Sequence, residues 1–224
     1  MTSDDDSIAL FPPLSDPSEP AYAIPEAVTG RPRVLLLGDS ISIGFTLPVR
    51  ELLGDAATVQ RPAANCGQTA FALRHLADWL GAEKWDVIHF NFGLHDLKYL
   101  DHTGNYVPPD QGRQVTPLDV YRRNLTAIVT RLLATGATPI FATTTPVPPG
   151  AAGRPAGSER PYNQCALEIM RAHGVAINDL WSLALQRQND IQRPNDVHFT
   201  TEGYRELAAE VARSVRAALK AGRA

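Results

Sequence analysis

From residue 33 onward, short apolar runs alternate with longer stretches in which apolar positions recur every three or four residues. The runs occupy 34–37, 57–60, 87–92, 139–143 and 175–177, and most are too apolar to leave one face in water. Strands covered on both faces have that pattern, and the intervening stretches at 44–53, 69–80, 118–134, 161–173 and 201–221 have the period of crossover helices. The last is the clearest: Tyr204, Leu207, Ala208, Val211, Val215 and Leu219 form one apolar stripe. Thr200 or Thr201 can cap it, with Glu202 near its positive end. The pattern predicts an α/β domain whose parallel sheet of about five strands lies between helices. The segments 100–116 and 146–161 are expected as long loops leaving strand ends, where ligands bind in open parallel sheets.

Residues 1–30 break the pattern. Pro12, Pro13, Pro17, Pro20 and Pro25 remove backbone donors and fix φ, so an extended arm with no regular element is expected before a domain at 31–224. Ile8, Leu10, Phe11, Leu14, Tyr22 and Ile24 could lay that arm along the domain or along a second subunit, making a homo-oligomer. With 224 residues and 44% hydrophobic content, the chain is large enough to fold without disulfides or a structural metal. Cys66 and Cys165 are too far apart for zinc or redox spacing and are expected as reduced thiols. The net charge of −3 includes six acids and no base in the first 30 residues, and no basic run appears elsewhere, so nucleic acid is not an expected partner. Neither a signal-peptide pattern nor an apolar stretch of about 18 residues is present, which makes a cytoplasmic protein without a membrane span the expectation.

The candidate chemistry clusters at strand ends. The first run stops at Gly38-Asp39-Ser40, a serine between strand and helix where outward N–H groups can stabilise an oxyanion. Asn195-Asp196-Val197-His198 precedes the last helix, and a histidine beside a carboxylate is what a serine nucleophile needs. Asn65-Cys66-Gly67 follows the second run and Gly93-Leu94-His95-Asp96 the third. Taken singly, each block also suits an ordinary turn or cap.

In that order and spacing, across about residues 33–219, the four blocks resemble the SGNH or GDSL hydrolases. The resemblance implies a flavodoxin-like three-layer α/β/α sandwich, Ser40 as nucleophile, His198 as base, and Ser40, Gly67 and His95 as the oxyanion hole, with no cofactor. The chain departs from the family twice: His95 stands where an asparagine is usual, and the position three before His198 is Asn195, the carboxylate Asp196 being only two before it. Asp196 is the expected acid because a charge stabilises imidazolium better than an amide, with Asn195 as the alternative. Arg160 and Asn195 are possible substrate contacts. His95, Asp96, Asp101 and His102, with His75 and His89, look metal-like in composition but match no strong zinc or two-metal spacing, so no metal is expected.

The resulting expectation is a serine esterase that forms an acyl-enzyme on short acyl groups such as acetyl, including acetyl carried on carbohydrate. The absence of a long apolar lid segment favours the short acyl group. A lysophospholipase or thioesterase of the same fold is the alternative within the class. A non-catalytic module that cradles an anion at Gly38-Asp39-Ser40 is the alternative outside it.

Overall fold

A computed structural model describes residues 16–222. The chain runs β1 (Arg33–Leu37), α1 (Ser40–Leu53), β2 (Thr58–Gln60), α2 (Thr69–Leu80), β3 (Val87–Phe90), a small pair β4 (Tyr99–Leu100) and β5 (Arg113–Gln114), then α3 (Leu118–Leu133). It continues through β6 (Thr138–Ala142), α4 (Glu159–Ala172), β7 (Ala176–Asn178), two short helices α5 (Leu180–Gln186) and α6 (Gln188–Ile191), and α7 (Thr201–Ala221). Five strands form a parallel sheet in the order β2-β1-β3-β6-β7, while β4 and β5 pair antiparallel outside it.

Starting at β1, the chain builds first to one side and then crosses back to the other. With right-handed crossovers this puts α1 on one face of the sheet and α2, α3 and α4 on the opposite face. Accordingly α1 packs on α7, whereas α2 packs on α3 and α3 on α4. The direction reverses between β1 and β3, so their carboxyl ends flank the switch-point crevice. Val34, Leu36, Ile88, Phe90 and Phe141 fill the middle layer, and Leu207, Ala208, Val211 and Val215 turn the stripe of α7 into the same core. Burying each large side chain contributes roughly 1.5–3 kcal/mol, so packing more than helix propensity holds α7 in place.

Several boundaries differ from expectation for local reasons. Helix α1 begins at Ser40 instead of residue 44 because Asp39 caps it, its Oδ1 accepting the Ile41 N–H at 3.0 Å. Helix α4 begins at Glu159, since Pro161 sits in the first turn, where its missing N–H costs nothing. The segment expected as a loop at 100–116 instead contributes to the β4–β5 pair. The arm does carry a regular element: Pro20–Tyr22 form a 3₁₀ turn, capped by Glu19, that buries Ala21 and Tyr22 and packs on α1, while Ile24 stays exposed. Ile8, Leu10, Phe11 and Leu14 lie outside the described residues. Cys66 and Cys165 are buried free thiols. Among the described residues no helix is long and apolar enough to cross a membrane.

Candidate active site

The Gly38-Asp39-Ser40 turn begins with a close approach. A Cβ at Gly38 would lie 2.7 Å from the Ser42 Cβ, so strand and helix can meet this tightly only at glycine. Ser40 follows in the first turn of α1, where its N–H has no acceptor within the helix. Behind the turn lies Arg61, a buried residue. Its guanidinium donates to Gly38 O, Ser42 Oγ and Ala64 O at 3.1 Å each and to Thr46 Oγ1 at 3.2 Å. The Cys66 N–H also donates to Gly38 O, at 3.2 Å, which ties the Gly67 segment to the turn that carries Ser40. Burial pushes the Cys66 thiol up to about 11, leaving it protonated and a poor nucleophile at neutral pH.

His198 arrives from the other end of the chain. Its Nε2 is 2.8 Å from Ser40 Oγ and its Nδ1 is 2.7 Å from Asp196 Oδ1. An ionised carboxylate only accepts, so the proton belongs on Nδ1 and Nε2 is free to accept from the serine hydroxyl. The same Asp196 oxygen accepts the His198 backbone N–H at 3.1 Å, an Asx turn that lets a carboxylate two residues upstream reach the ring. Burial works to raise the Asp196 carboxyl, but the side-chain and backbone bonds from His198 outweigh it and hold it below the usual carboxylate range. Asn195 adopts a left-handed backbone with φ 57° and lines the cleft, and the structure puts Asp196, not Asn195, on the His198 ring.

The expected oxyanion donors are differently engaged. Gly67 has φ 59°, and its N–H donates to Asn65 Oδ1 at 3.0 Å. His95 is buried on the cleft wall, with Lys98 Nζ 3.3 Å from its Nδ1. An ammonium only donates, so Nδ1 is the acceptor and the network assigns the ring proton to Nε2. Burial first, then the Lys98, Arg154 and His198 charges, hold this imidazole well below its ordinary value, hence neutral. His95 thereby offers one N–H donor where the family uses an amide.

Ser40 and His198 open onto a cleft of about 630 Å³ shared with Asn65, Lys98, Tyr106 and Arg154. Arg160, expected as a substrate contact, is not among its lining residues: its guanidinium lies 6.0 Å from the Trp181 ring, facing another groove. The arginine in the cleft is Arg154, anchored by Nε on Leu94 O at 2.8 Å and by Nη1 on Ala152 O at 3.1 Å. Not predicted from the sequence were Asn65 and Lys98 as cleft residues and Arg61 as the brace behind the turn; of the three only Asn65 carried a signal, its place two residues before Gly67 in the block after the second apolar run.

Two further polar candidates, Asp96 and His89, hold the fold through internal hydrogen bonds. Asp96 accepts from Thr69 N at 2.9 Å and Thr69 Oγ1 at 2.6 Å at the start of α2. His89, inside β3, is 3.0 Å from Asn178 Oδ1, and burial brings it down to about 4. Among the described residues no three His, Cys, Asp or Glu side chains gather to hold a metal ion.

A serine presented at the switch point of a parallel sheet, within reach of a histidine, is the layout of flavodoxin-like ester hydrolases. The chain belongs to the GDSL-like lipase/acylhydrolase family, whose model matches residues 36–206, and is a carboxylic ester hydrolase of that family. Among solved structures, a lipase/acylhydrolase from Enterococcus faecalis is similar at 19% identity and TM-score 0.66, over 83% of this chain and 96% of that one. The acetyl xylan esterase AlAXEase is similar at 16% identity and TM-score 0.65, over 82% of this chain and 99% of that one. Axe2, an acetylxylan esterase from Geobacillus stearothermophilus, is similar at 16% identity and TM-score 0.63, over 81% of this chain and 93% of that one. At such identities the likeness is one of fold. No curated protein matches the chain in sequence.

Proposed function

We propose that the protein is a serine esterase that removes short acyl groups, acetyl first among them, from an alcohol such as a carbohydrate hydroxyl. The observation that carries this reading is the hydrogen-bonded series Ser40 Oγ, His198 Nε2, His198 Nδ1, Asp196 Oδ1, at 2.8 Å and 2.7 Å. Ser40 Oγ attacks the ester carbonyl while His198 Nε2 takes its proton, and Asp196 stabilises the imidazolium that forms. The Ser40 N–H and the His95 Nε2–H are the donors for the tetrahedral oxyanion. The Gly67 N–H joins them by exchanging the neutral Asn65 oxygen for a charged one, since a charge-assisted bond is roughly twice as strong. His198 then protonates the leaving alcohol, and water, activated by the same imidazole, releases the acid from Ser40. Lys98, Thr103, Arg154 and Asn195 stand among apolar lining residues such as Leu94, Leu100 and Val197, and these polar groups can hydrogen-bond a hydroxylated alcohol such as a carbohydrate. Two of the fold's solved relatives are acetyl xylan esterases by name, which agrees with that choice.

The test is hydrolysis of 4-nitrophenyl esters by the wild type and by Ser40→Ala with chelator present. The alanine variant should lose roughly a thousandfold or more in kcat. Rates should fall as the acyl chain lengthens beyond butyryl. Equal rates in the two proteins would remove Ser40 from the mechanism, and rates rising past eight carbons would overturn the short-acyl preference.

A further inference from the structure

Lys98 and Arg154 share the cleft with Ser40 and His198, yet neither pairs with a carboxylate among the described residues. Lys98 is only 7% exposed. Lys98 contacts His95 Nδ1 and lies 5.0 Å from the Tyr106 ring, Arg154 lies 5.2 Å from the same ring, and the Tyr106 phenol hydrogen-bonds with both cations. Two like charges around one phenol, one of them largely withdrawn from water, are costly unless an anion joins them.

The fold holds this arrangement deliberately in place. Lys98 leads into β4, Arg154 sits in the 146–158 loop, and the two segments lock together where Tyr99 N donates to Gly153 O at 2.7 Å. Gly153, with φ 63°, is required there: a Cβ would lie 2.7 Å from Tyr106 Cδ1 and 2.9 Å from Tyr99 O. The other side of Ser40 has the opposite character, walled by Asp16 and Glu19 of the arm, with Arg193.

Resting on the esterase reading of the same cleft, we propose that the ester substrate carries a second, anionic group, a carboxylate or similar oxyanion on its acyl or alcohol part. That group sits between the Lys98 ammonium and the Arg154 guanidinium on the Tyr106 side of the cleft. The electrostatics agree. Burial draws the Lys98 ammonium below its ordinary range, Tyr106 opposing the shift and the Arg154 charge adding to it. Burial would raise the Tyr106 phenol, but the Lys98 and Arg154 charges together bring it down instead. The Tyr106 shift marks positive charge gathered around the phenol, which a bound anion would neutralise.

Two matched pairs of esters test the proposal. The alcohol-side pair is 4-acetoxybenzoate against 4-acetoxybenzamide, and the acyl-side pair is mono-4-nitrophenyl adipate against the corresponding adipamate. In the wild type, kcat/KM should favour the anionic member of one pair by about tenfold or more, a difference of ~1.4 kcal/mol. That ratio, taken within each protein, should fall at least about fivefold in Arg154→Gln and in 0.5 M NaCl, since salt screens a charge-based preference. Lys98→Gln serves as a second variant, with folding of both checked by circular dichroism. Ratios near one in both wild-type pairs would overturn the proposal, while Ser40-dependent turnover of the neutral members would uphold the esterase reading. If no ester is turned over, the esterase reading fails. Titration of the Ser40→Ala protein with 4-acetoxybenzoate and 4-acetoxybenzamide then decides the anion site. Preferential binding of the carboxylate supports it, and equal or absent binding overturns it.

Discussion

Asp196 reaches His198 across a single intervening residue because one of its oxygens caps the His198 backbone N–H and holds the ring at the same time. Losing the charge therefore removes support for the imidazolium and loosens the turn. Asp196→Asn should lower kcat at least about tenfold. Asn195→Ala, which gives up a residue tolerant of the left-handed backbone but no bond to the ring, should cost less; steady-state kinetics that reverse this ranking would reassign the acid. Asp96 allows a separate test on stability. Burial pushes its carboxyl from 3.8 up to about 7, so across that window the folded chain holds a proton that the unfolded chain releases, and stability falls as pH rises. His89, drawn down from 6.5 to about 4, acts with the opposite sign below pH 6.5. Asp96→Asn isolates the first effect while keeping an oxygen for Thr69. The melting temperature of the variant should gain on the wild type from pH 5 to 7 and then level off. The residues legible in the sequence were those with a local signature: Ser40 after a strand, and His198 beside a carboxylate before a helix. Lys98, Arg154 and Arg61 carry no such mark, because loop closure sets their neighbours.

At the scale of elements, α1 is held by its contact with α7, and Gly44 is a point of close approach between the two. A Cβ at Gly44 would overlap the Tyr204 ring. Gly44→Ala should be destabilising despite alanine's better helix propensity, by about 1–3 kcal/mol from overpacking. For a chain of this size that is roughly 2–4 °C of melting temperature per kcal/mol, measurable by calorimetry. An unchanged or raised melting temperature would show that the two helices separate easily. The sheet was legible because continuous apolar runs separated by a 3.6-residue period have few other interpretations. The two-residue strands β4 and β5 were not, since pairs as short as Tyr99–Leu100 and Arg113–Gln114 leave no periodicity to detect. The start of α1 was missed because its first turn, Ser-Ile-Ser-Ile, resembles a strand, and only the Asp39 cap resolves it.

Across the whole molecule, the arm is part of the site's architecture. Tyr22 is 7% exposed and its ring lies 5.6 Å from the Arg61 guanidinium that braces the turn that carries Ser40. Tyr22→Ala should cost of order 2–4 kcal/mol and lower esterase activity with it, whereas removal of the exposed Ile24 side chain should change neither. Denaturant unfolding alongside activity measurements would show whether the two losses travel together.

Ser40 and His198 are 158 positions apart, one following the first strand of the sheet and the other preceding the last helix. No fragment of the chain contains both halves of the proton relay unless it spans almost the entire sheet. On the proposed mechanism, catalysis is thus a signal of completed folding. During synthesis the chain is inert until the segment bearing His198 has left the ribosome, and after dilution from denaturant esterase activity should return with the slowest phase, later than the helical circular dichroism signal.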